Sequence, residues 1–528
     1  MCQPPTLWRR LGVLLASIWI AGSAHALSVD AAKRMATGES DERVAAIAAA
    51  QADEATVAFL KALLQDAVRV KGDQVWVMQG EQGQDPVSGQ ASAVPEDAEG
   101  VVNNNRLRGE IETALAGFDL LSSNPALRRS ALKTLQAEVD ISKLPLLEKA
   151  LAAETDASLK AQIIQLRAAA LLTSAVTAQR LQAAKDLADS GQASTKTLLS
   201  ERLKLEEDPA VKAALGAALR QVGSALAWGD KLGAIFSGIS LGSILLLVAL
   251  GLAITYGLMG VINMAHGELM MIGAYATYVV QGLFQQYLPG AFDWYLLAAV
   301  PVAFMASALM GALLERSVIR FLYGRPLETL LATWGISLML MQLVRSVFGA
   351  QNVGVENPSW MSGGVQVLGN LSLPFNRLVI IGFAIFVLGA VAWLIGKTRL
   401  GLFVRGVTQN RPIASCMGVN TARIDTYAFA LGSGIAGLAG CALSQVGNVG
   451  PDLGQGYIVD AFMVVVLGGV GQLAGTVYAA LGLGILNKFL EGWAGAVLAK
   501  IAVLVFIIIF IQKRPQGIFA MKGRSAEA

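Results

Sequence analysis

In the stretch GLMGVINMAHGELMMIGAYATY, residues 257–278, Asn263, His266 and Glu268 fall within six positions, and His266 is one of only two histidines in 528 residues. An amide, an imidazole and a carboxylate at this spacing can donate and accept hydrogen bonds and carry charge, yet the flanks on both sides are strongly apolar. Ionisable residues in membrane segments are costly and usually face a bundle interior or an aqueous pathway. One reading is therefore a hydrogen-bonding site on a solute path. The other is a tight polar turn solvated at a membrane face, and residue types alone do not separate the two.

The elements that must position these groups follow from composition. Hydrophobic residues make up 54% of the chain and charged residues 15%, far from a soluble average. The excess is uneven: residues 1–230 hold 24 Lys+Arg and 28 Asp+Glu, whereas 231–528 hold 17 and 10. From about Gly233 onward apolar runs recur, among them ISLGSILLLVALGLAI, WYLLAAVPVAFMASALMGALL, LVIIGFAIFVLGAVAWLI and LAKIAVLVFIIIFI, each near the roughly 20 residues that span hydrocarbon as a helix. The fold class is all-α: a polytopic membrane domain of about eight to nine spans, preceded by a helical-repeat domain.

Four segments are expected. Residues 1–26, with Arg9 and Arg10, an apolar core Leu11 to Ile20 and an Ala24-His25-Ala26 site, read as a secretory signal peptide. The chain beyond it is then exported, and Cys2 is removed. Residues 27–228 show apolar residues at helical spacing, and NPALRRSAL at 124, TDASLKAQI at 155 and EDPAVKAAL at 207 look alike, the pattern of stacked HEAT-like helix pairs. Between Val68 and Asn105 that pattern breaks. VRVKGDQVWVM alternates like a strand and the polar EQGQDPVSGQASAVPEDAEG reads as loop. Residues 229–520 form the membrane domain and 521–528 a cytoplasmic tail.

Basic clusters mark cytoplasmic loops: 315–325, 397–411 with Arg423, and 513–524. Starting outside, spans near 233–255, 262–281, 296–314, 327–348, 376–396 and 426–446 satisfy that parity. The last helix, 496–512, ends inside. Region 457–491 is broken by LGGVGQLAG and is expected to hold one span plus a short or re-entrant piece, since irregular backbone at membrane depth survives only where protein or a cavity satisfies it.

Two letter patterns mislead. Gly396-Lys397-Thr398 resembles the end of a phosphate-binding loop, but Val391 stands where its first Gly belongs. GSGIAG, 432–437, matches a dinucleotide fingerprint without a preceding strand, and Gly432, Ala436 and Gly440 read instead as close helix packing. Cys2, Cys416 and Cys441 make neither a disulfide framework nor a metal pattern. No cofactor or metal is expected on this chain, no enzyme constellation is visible, and ATP, if used, is hydrolysed by another subunit.

Longer stretches carry a resemblance. GLAITYGLMGVINMAHGELMMIGAYATYVV, TRLGLFVRGVTQNRPIASCMGVNTARID (398–425) and VVVLGGVGQLAGTVYAALGLGILNKFLE (464–491) resemble the permeases of branched-chain amino acid type ABC importers, over nearly all of 233–520. In that family an Asn, two residues, then His-Gly-Glu come after the first long helix, matched by Asn263, His266, Gly267 and Glu268. Its cytoplasmic docking segment ends in a Gly-hydrophobic-Asn turn, matched by Gly418-Val419-Asn420, although Gln409 and Asn410 stand where acidic residues are frequent. NVGPDLGQGYIVDAFMVVVLGGVGQLAGT, the C-terminal region and the long N-terminal domain are similar to permeases of the urea-transporting branch of that family.

The resemblance implies a bacterial inner-membrane importer with a second permease subunit, two ATPase subunits and a periplasmic solute-binding protein, surrounded by lipid and without nucleic acid. It implies alternating access, with Asn263, His266, Glu268, Thr333, Ser337 and Gln342 as candidates along the path, Glu268 as a structural group rather than a direct ligand because a neutral solute gains nothing from a buried net charge. Arg405, Arg411, Ser415, Met417, Gly418 and Asn420 are the docking candidates. The same machine with an amino acid or short amide as cargo remains open. A sensor would need a cytoplasmic output domain, and a passive urea channel would not need the docking segment.

Overall fold

The computed structural model describes residues 27–50, 53–80, 82–95, 97–136, 141–260, 262–514 and 517–519. The expected signal peptide and the expected tail at 521–528 lie outside the described residues. The chain divides into two compact units, Met1–Gly223 and Ser224–Ala528.

The first unit opens with α1 (Val29–Ala36), α2 (Ser40–Ala48) and α3 (Glu54–Leu64). Next comes a sheet of β1 (Val68–Lys71), β2 (Gln74–Gln79), β3 (Gln82–Gln84), β4 (Ala91–Ser92) and β5 (Glu99–Gly100), all antiparallel in the order β4-β3-β2-β1-β5. The single strand expected from VRVKGDQVWVM is thus a hairpin, and the expected polar loop supplies three more short strands. Their residues lack strand patterning because pairing to an existing hairpin edge uses backbone groups alone. An Asx turn at Asp85, whose Oδ1 accepts the N–H of Val87 (2.9 Å) and Ser88 (2.7 Å), returns the chain.

The helices α4 (Asn105–Asp119), α5 (Pro125–Leu135), α6 (Leu144–Ala153), α7 (Ala157–Leu171), α8 (Thr177–Ala188), α9 (Ala193–Leu205) and the start of α10 (Pro209–Met259) complete the unit. A repeat of 52 residues runs through them, three helices at a time. Asn104, Asp156 and Asp208 stand 52 apart, and each accepts backbone N–H groups at the start of a third helix. Leu107, Leu159 and Val211 come next on the buried face, then Ile111, Ile163 and Leu215.

In each repeat an arginine of the first helix holds the chain before it and the approach to the third helix. Arg128 makes two hydrogen bonds to Glu154 (2.8 and 3.0 Å) and others to the carbonyls of Ser122 and Ser123. Arg180 repeats this with Glu206 (3.2 Å), Ser174 and Ala175. Arg43 donates to Met35 O (2.9 Å) and to Asn103. The segments at 155 and 207 are therefore equivalent places in successive repeats, while NPALRRSAL at 124 begins a first helix.

Among the described residues of the second unit seven helices are long and apolar enough to cross a membrane, and the protein is a polytopic helical membrane protein. They are α10, α12 (Tyr295–Ser317, continued from a 3₁₀ turn at Pro289–Trp294), α13 (Pro326–Phe348), α14 (Phe375–Lys397), α17 (Thr421–Ser444), α19 (Leu473–Ala494) and α20 (Ala496–Lys513). Two helices outside this set explain the higher expectation of eight to nine. α11 (His266–Tyr287) is 22 residues long but polar at both ends, and α18 (Leu453–Gly468) has 16 residues, about 24 Å of helix. That short helix and α19 fill the broken region, turning at Gly469 and Gly471, both with positive φ. Two short helices, α15 (Arg399–Gln409) and α16 (Arg411–Cys416), lie between α14 and α17, and β6 (Gly364–Leu368) with β7 (Leu371–Pro374) forms a hairpin before α14.

Helix α17 is the hub. A Cβ on Gly432 would lie 2.6 Å from Gly251 O of α10, one on Gly437 2.5 Å from Ala303 O of α12, and one on Gly440 1.9 Å from Met270 O of α11. The motif-like glycines Gly432 and Gly437 are thus contacts to α10 and α12, and Gly440 beyond them is a contact to α11.

Candidate functional site

The turn from α10 into α11 is built by its own polar groups. Gly260 takes a positive φ of 67°, which glycine adopts without steric cost. The Asn263 side chain accepts the Ala265 N–H (3.1 Å), and Met264 N–H donates to Thr333 Oγ1 of α13 (3.1 Å). His266 sits at the first turn of α11 with Nε2 3.1 Å from Val248 O of α10. Gly251 makes the room, because a Cβ there would stand 3.1 Å from the imidazole. Glu268 accepts from Ser337 Oγ of α13 (2.9 Å).

Asn263, His266 and Glu268 are 1%, 0% and 1% exposed. The solvated-turn alternative is thereby overturned. Five of the six path candidates come together: Thr333 and Ser337 lie one turn apart on α13, facing the start of α11. Gln342 does not join them. Five residues beyond Ser337, it is on another face of α13 and exposed.

The cluster has unused hydrogen-bonding capacity: Asn263 Nδ2, His266 Nδ1, Glu268 Oε2 and Tyr275 OH are buried without partners. Tyr275 was not among the sequence candidates. It lies seven residues after Glu268, on the same face of α11, and its ring packs 4.7 Å from that of Phe348. The signal was present as helical spacing, but tyrosine near a membrane segment is ordinarily an interfacial anchor. Asp452, two residues before Gly454 at the start of α18, is carried toward this cluster by the crossing of α18 with α11, and no sequence pattern joins it to Glu268 or Tyr275. The backbones of α11 and α18 touch here, Gly267 against Gly454.

Among the described residues, the buried polar and charged side chains from Ser240 to Thr476 include no Lys or Arg. No group of three or more His, Cys, Asp or Glu among the described residues is placed to hold a metal ion.

The second candidate set lies on α15, α16 and the turn after them. Asn410 caps α16 by accepting Ile413 N–H, and Asn420 caps α17 by accepting Arg423 N–H, each at 3.1 Å. Gly418 between them has φ 84°. Arg405, Ser415, Met417, Gly418 and Asn420 are exposed. With Leu402, Phe403 and Ile413, Met417 lines a groove of about 580 Å³ between the two short helices. Arg411 differs: it turns inward to pair with Asp425 of α17, and its guanidinium lies 4.1 Å from the Tyr323 ring centre.

Residues 234–512 match the family model described as branched-chain amino acid transport system / permease component. The chain is similar to the high-affinity branched-chain amino acid transport system permease protein LivH of Escherichia coli K12, 29% identical over 54% of this chain and 94% of that one. It is also similar to LivH of Salmonella typhimurium, 27% identical with the same coverage, and to BraD of Pseudomonas aeruginosa, 26% identical with the same coverage. No solved structure matches.

Proposed function

We propose, from the premise that the chain belongs to the permease-component family of branched-chain amino acid transport systems, that it carries urea into the cell as one permease of an ATP-driven importer. As a family member it is a transport subunit rather than an enzyme, working with ATPase and solute-binding partners. In our reading the complex holds this chain, a second permease, two ATPase subunits and a periplasmic binding protein in the bacterial inner membrane. The first unit is the exported helical-repeat domain.

One observation supports the cargo: the buried polar seam offers acceptors and donors without a buried cation among the described residues. Urea is small and neutral, with two amide donors and one carbonyl. Glu268 Oε2 can accept a solute N–H, while Asn263 Nδ2 can donate to a carbonyl. A zwitterionic amino acid brings a carboxylate that a cation would ordinarily meet. ATP binding in the partner subunits would move α15 and α16 and, through them, the helices around this seam.

The relatives' names favour a second reading, a branched-chain amino acid as cargo. Uptake of radiolabelled urea at micromolar concentration decides, with leucine as parallel cargo, in cells carrying the intact protein, a deletion, or Gly418→Arg. Gly418→Arg strains a positive-φ position in the docking turn and is expected to remove at least nine-tenths of urea uptake, as the deletion does, leaving leucine uptake unchanged. Urea uptake that survives both changes while leucine uptake fails would establish the second reading.

A further inference from the structure

We propose that Arg411 is a positioning residue that locks the docking helix α16 to the membrane helices, so that the lock, rather than contact with the ATPase, is its contribution to transport. The inference rests on the importer reading above.

Three elements meet at Arg411. Its guanidinium bonds both carboxylate oxygens of Asp425, Nη1 to Oδ1 at 3.3 Å, and its flat face covers Tyr323 at 4.1 Å. Asp425 lies one turn into α17, and its side chain is 5% exposed against 30% for Arg411. Tyr323 belongs to the link between α12 and α13. One side chain therefore ties the short helix to the hub helix and to the link.

A second set of bonds secures the ground on which that side chain stands. Thr426 Oγ1 donates to Glu315 Oε2 of α12 (2.6 Å), and Arg320 Nε lies 3.4 Å from Glu315 Oε1. Glu315 is buried. The link bearing Tyr323 and the α17 turn bearing Asp425 are thus joined through Glu315, and a push on α16 reaches α12 and α17 together. A planar, bidentate and stacking cation suits this role, and a lysine would reproduce only its charge.

The exposed side chains of α15 and α16 remain free to meet a partner. Arg411 is spent inside the chain. This separates two kinds of residue in one segment: those whose loss detaches the ATPase, and Arg411 with its partners, whose loss leaves the complex assembled and slack.

The test uses the complete importer in proteoliposomes, measuring solute taken up per ATP hydrolysed, with co-purification of the ATPase subunits as the check on assembly. Asp425→Asn is expected to keep assembly and hydrolysis within twofold of the parent and to lower uptake per ATP at least fivefold. Tyr323→Leu should lower the same ratio by about twofold. A proportional fall of uptake and hydrolysis, or an unchanged ratio, overturns the inference. If Asp425→Asn fails to assemble, Tyr323→Leu decides, and an unchanged ratio there overturns it. Failure of the parent complex to couple uptake to hydrolysis would instead overturn the importer reading.

Discussion

In the first unit Arg43, Arg128 and Arg180 each reach from the opening helix of a repeat to the approach of its third helix. In the second, Gly251 and Gly432, Gly267 and Gly454, and Gly468 and Gly475 meet backbone to backbone. The difference is the one that two solvents would impose. In water, burial of Leu and Ile drives helices together without direction, and directional side-chain bonds set which turn meets which. Lipid gives no such drive between helices, so close van der Waals contact must supply it, and a side chain at the crossing would hold the backbones apart.

Enlarging a crossing glycine is the strongest way to break that comparison. Gly440→Leu places carbon 1.9 Å from Met270 O and 2.8 Å from Ala274 N, backbone atoms that cannot step aside. It should cost about 3 kcal/mol, the upper end for overpacking, and abolish monodisperse protein in detergent. Gly482→Ala, where nothing lies within 4 Å, should leave thermal stability in detergent unchanged. A Gly440→Leu protein as stable as the parent would refute packing by absent side chains.

In the first unit Arg128→Ala leaves Glu154 buried with only two backbone donors. The expected loss is about 3 kcal/mol, read as raised hydrogen exchange in α5–α7. Arg106→Ala, which removes an exposed pair between α4 and Asp41 of α2, should change exchange in those two helices by less than about 0.5 kcal/mol. Equal effects of the two changes would mean the arginine ladder does not set register.

The smallest effect is a dependence on pH. The Arg128 hydrogen bond holds Glu154 below the usual carboxylate range. Burial pushes Glu206 up, but the Asp208 N–H with Arg180 and Arg202 outweighs it and leaves Glu206 lowered too. A depressed folded value contributes stability that is complete above the unfolded value near 4.3 and is lost as pH falls through the folded one. Exchange protection in α5–α9, corrected for intrinsic rates, should therefore drop below about pH 4. Glu206→Gln should flatten the part of that drop in α8 and α9.

Much of this was legible in residue order, and the gaps have physical reasons. Membrane helices declare themselves because hydrocarbon demands long apolar runs, so α12, α14 and α20 stand out, whereas α11 is blurred by the polar residues it buries. The 52-residue repeat was half visible in the likeness of 155 and 207. Its arginines were not, since partners 26 residues apart leave no local pattern. The meeting of Asn263, His266 and Glu268 with Thr333 and Ser337 obeys helical spacing. Gln342 has the right type and the wrong angle, and the approach of Asp452 depends on the α11–α18 crossing. For Arg411, a docking candidate by resemblance, sequence shows the charge and hides the inward turn set by Asp425 and Tyr323.

The small sheet of the first unit has a consequence for how this protein can be altered. Arg43 and Asn103 stand 60 residues apart, where the two later repeats need 26, and the excess is the sheet. Its two ends are neighbours, Val101 N–H donating to Val68 O at 2.9 Å, so the excursion leaves the repeat where it began. Closing such a gap with a short turn costs little chain entropy. The segment between those residues is an insertion whose inner face, Val68 and Val75, shares a buried core with Phe59, Leu60 and Leu63 of α3, so an exchange must keep that face, and the exposed turn at 88–90 is the place for a reporter or an affinity handle.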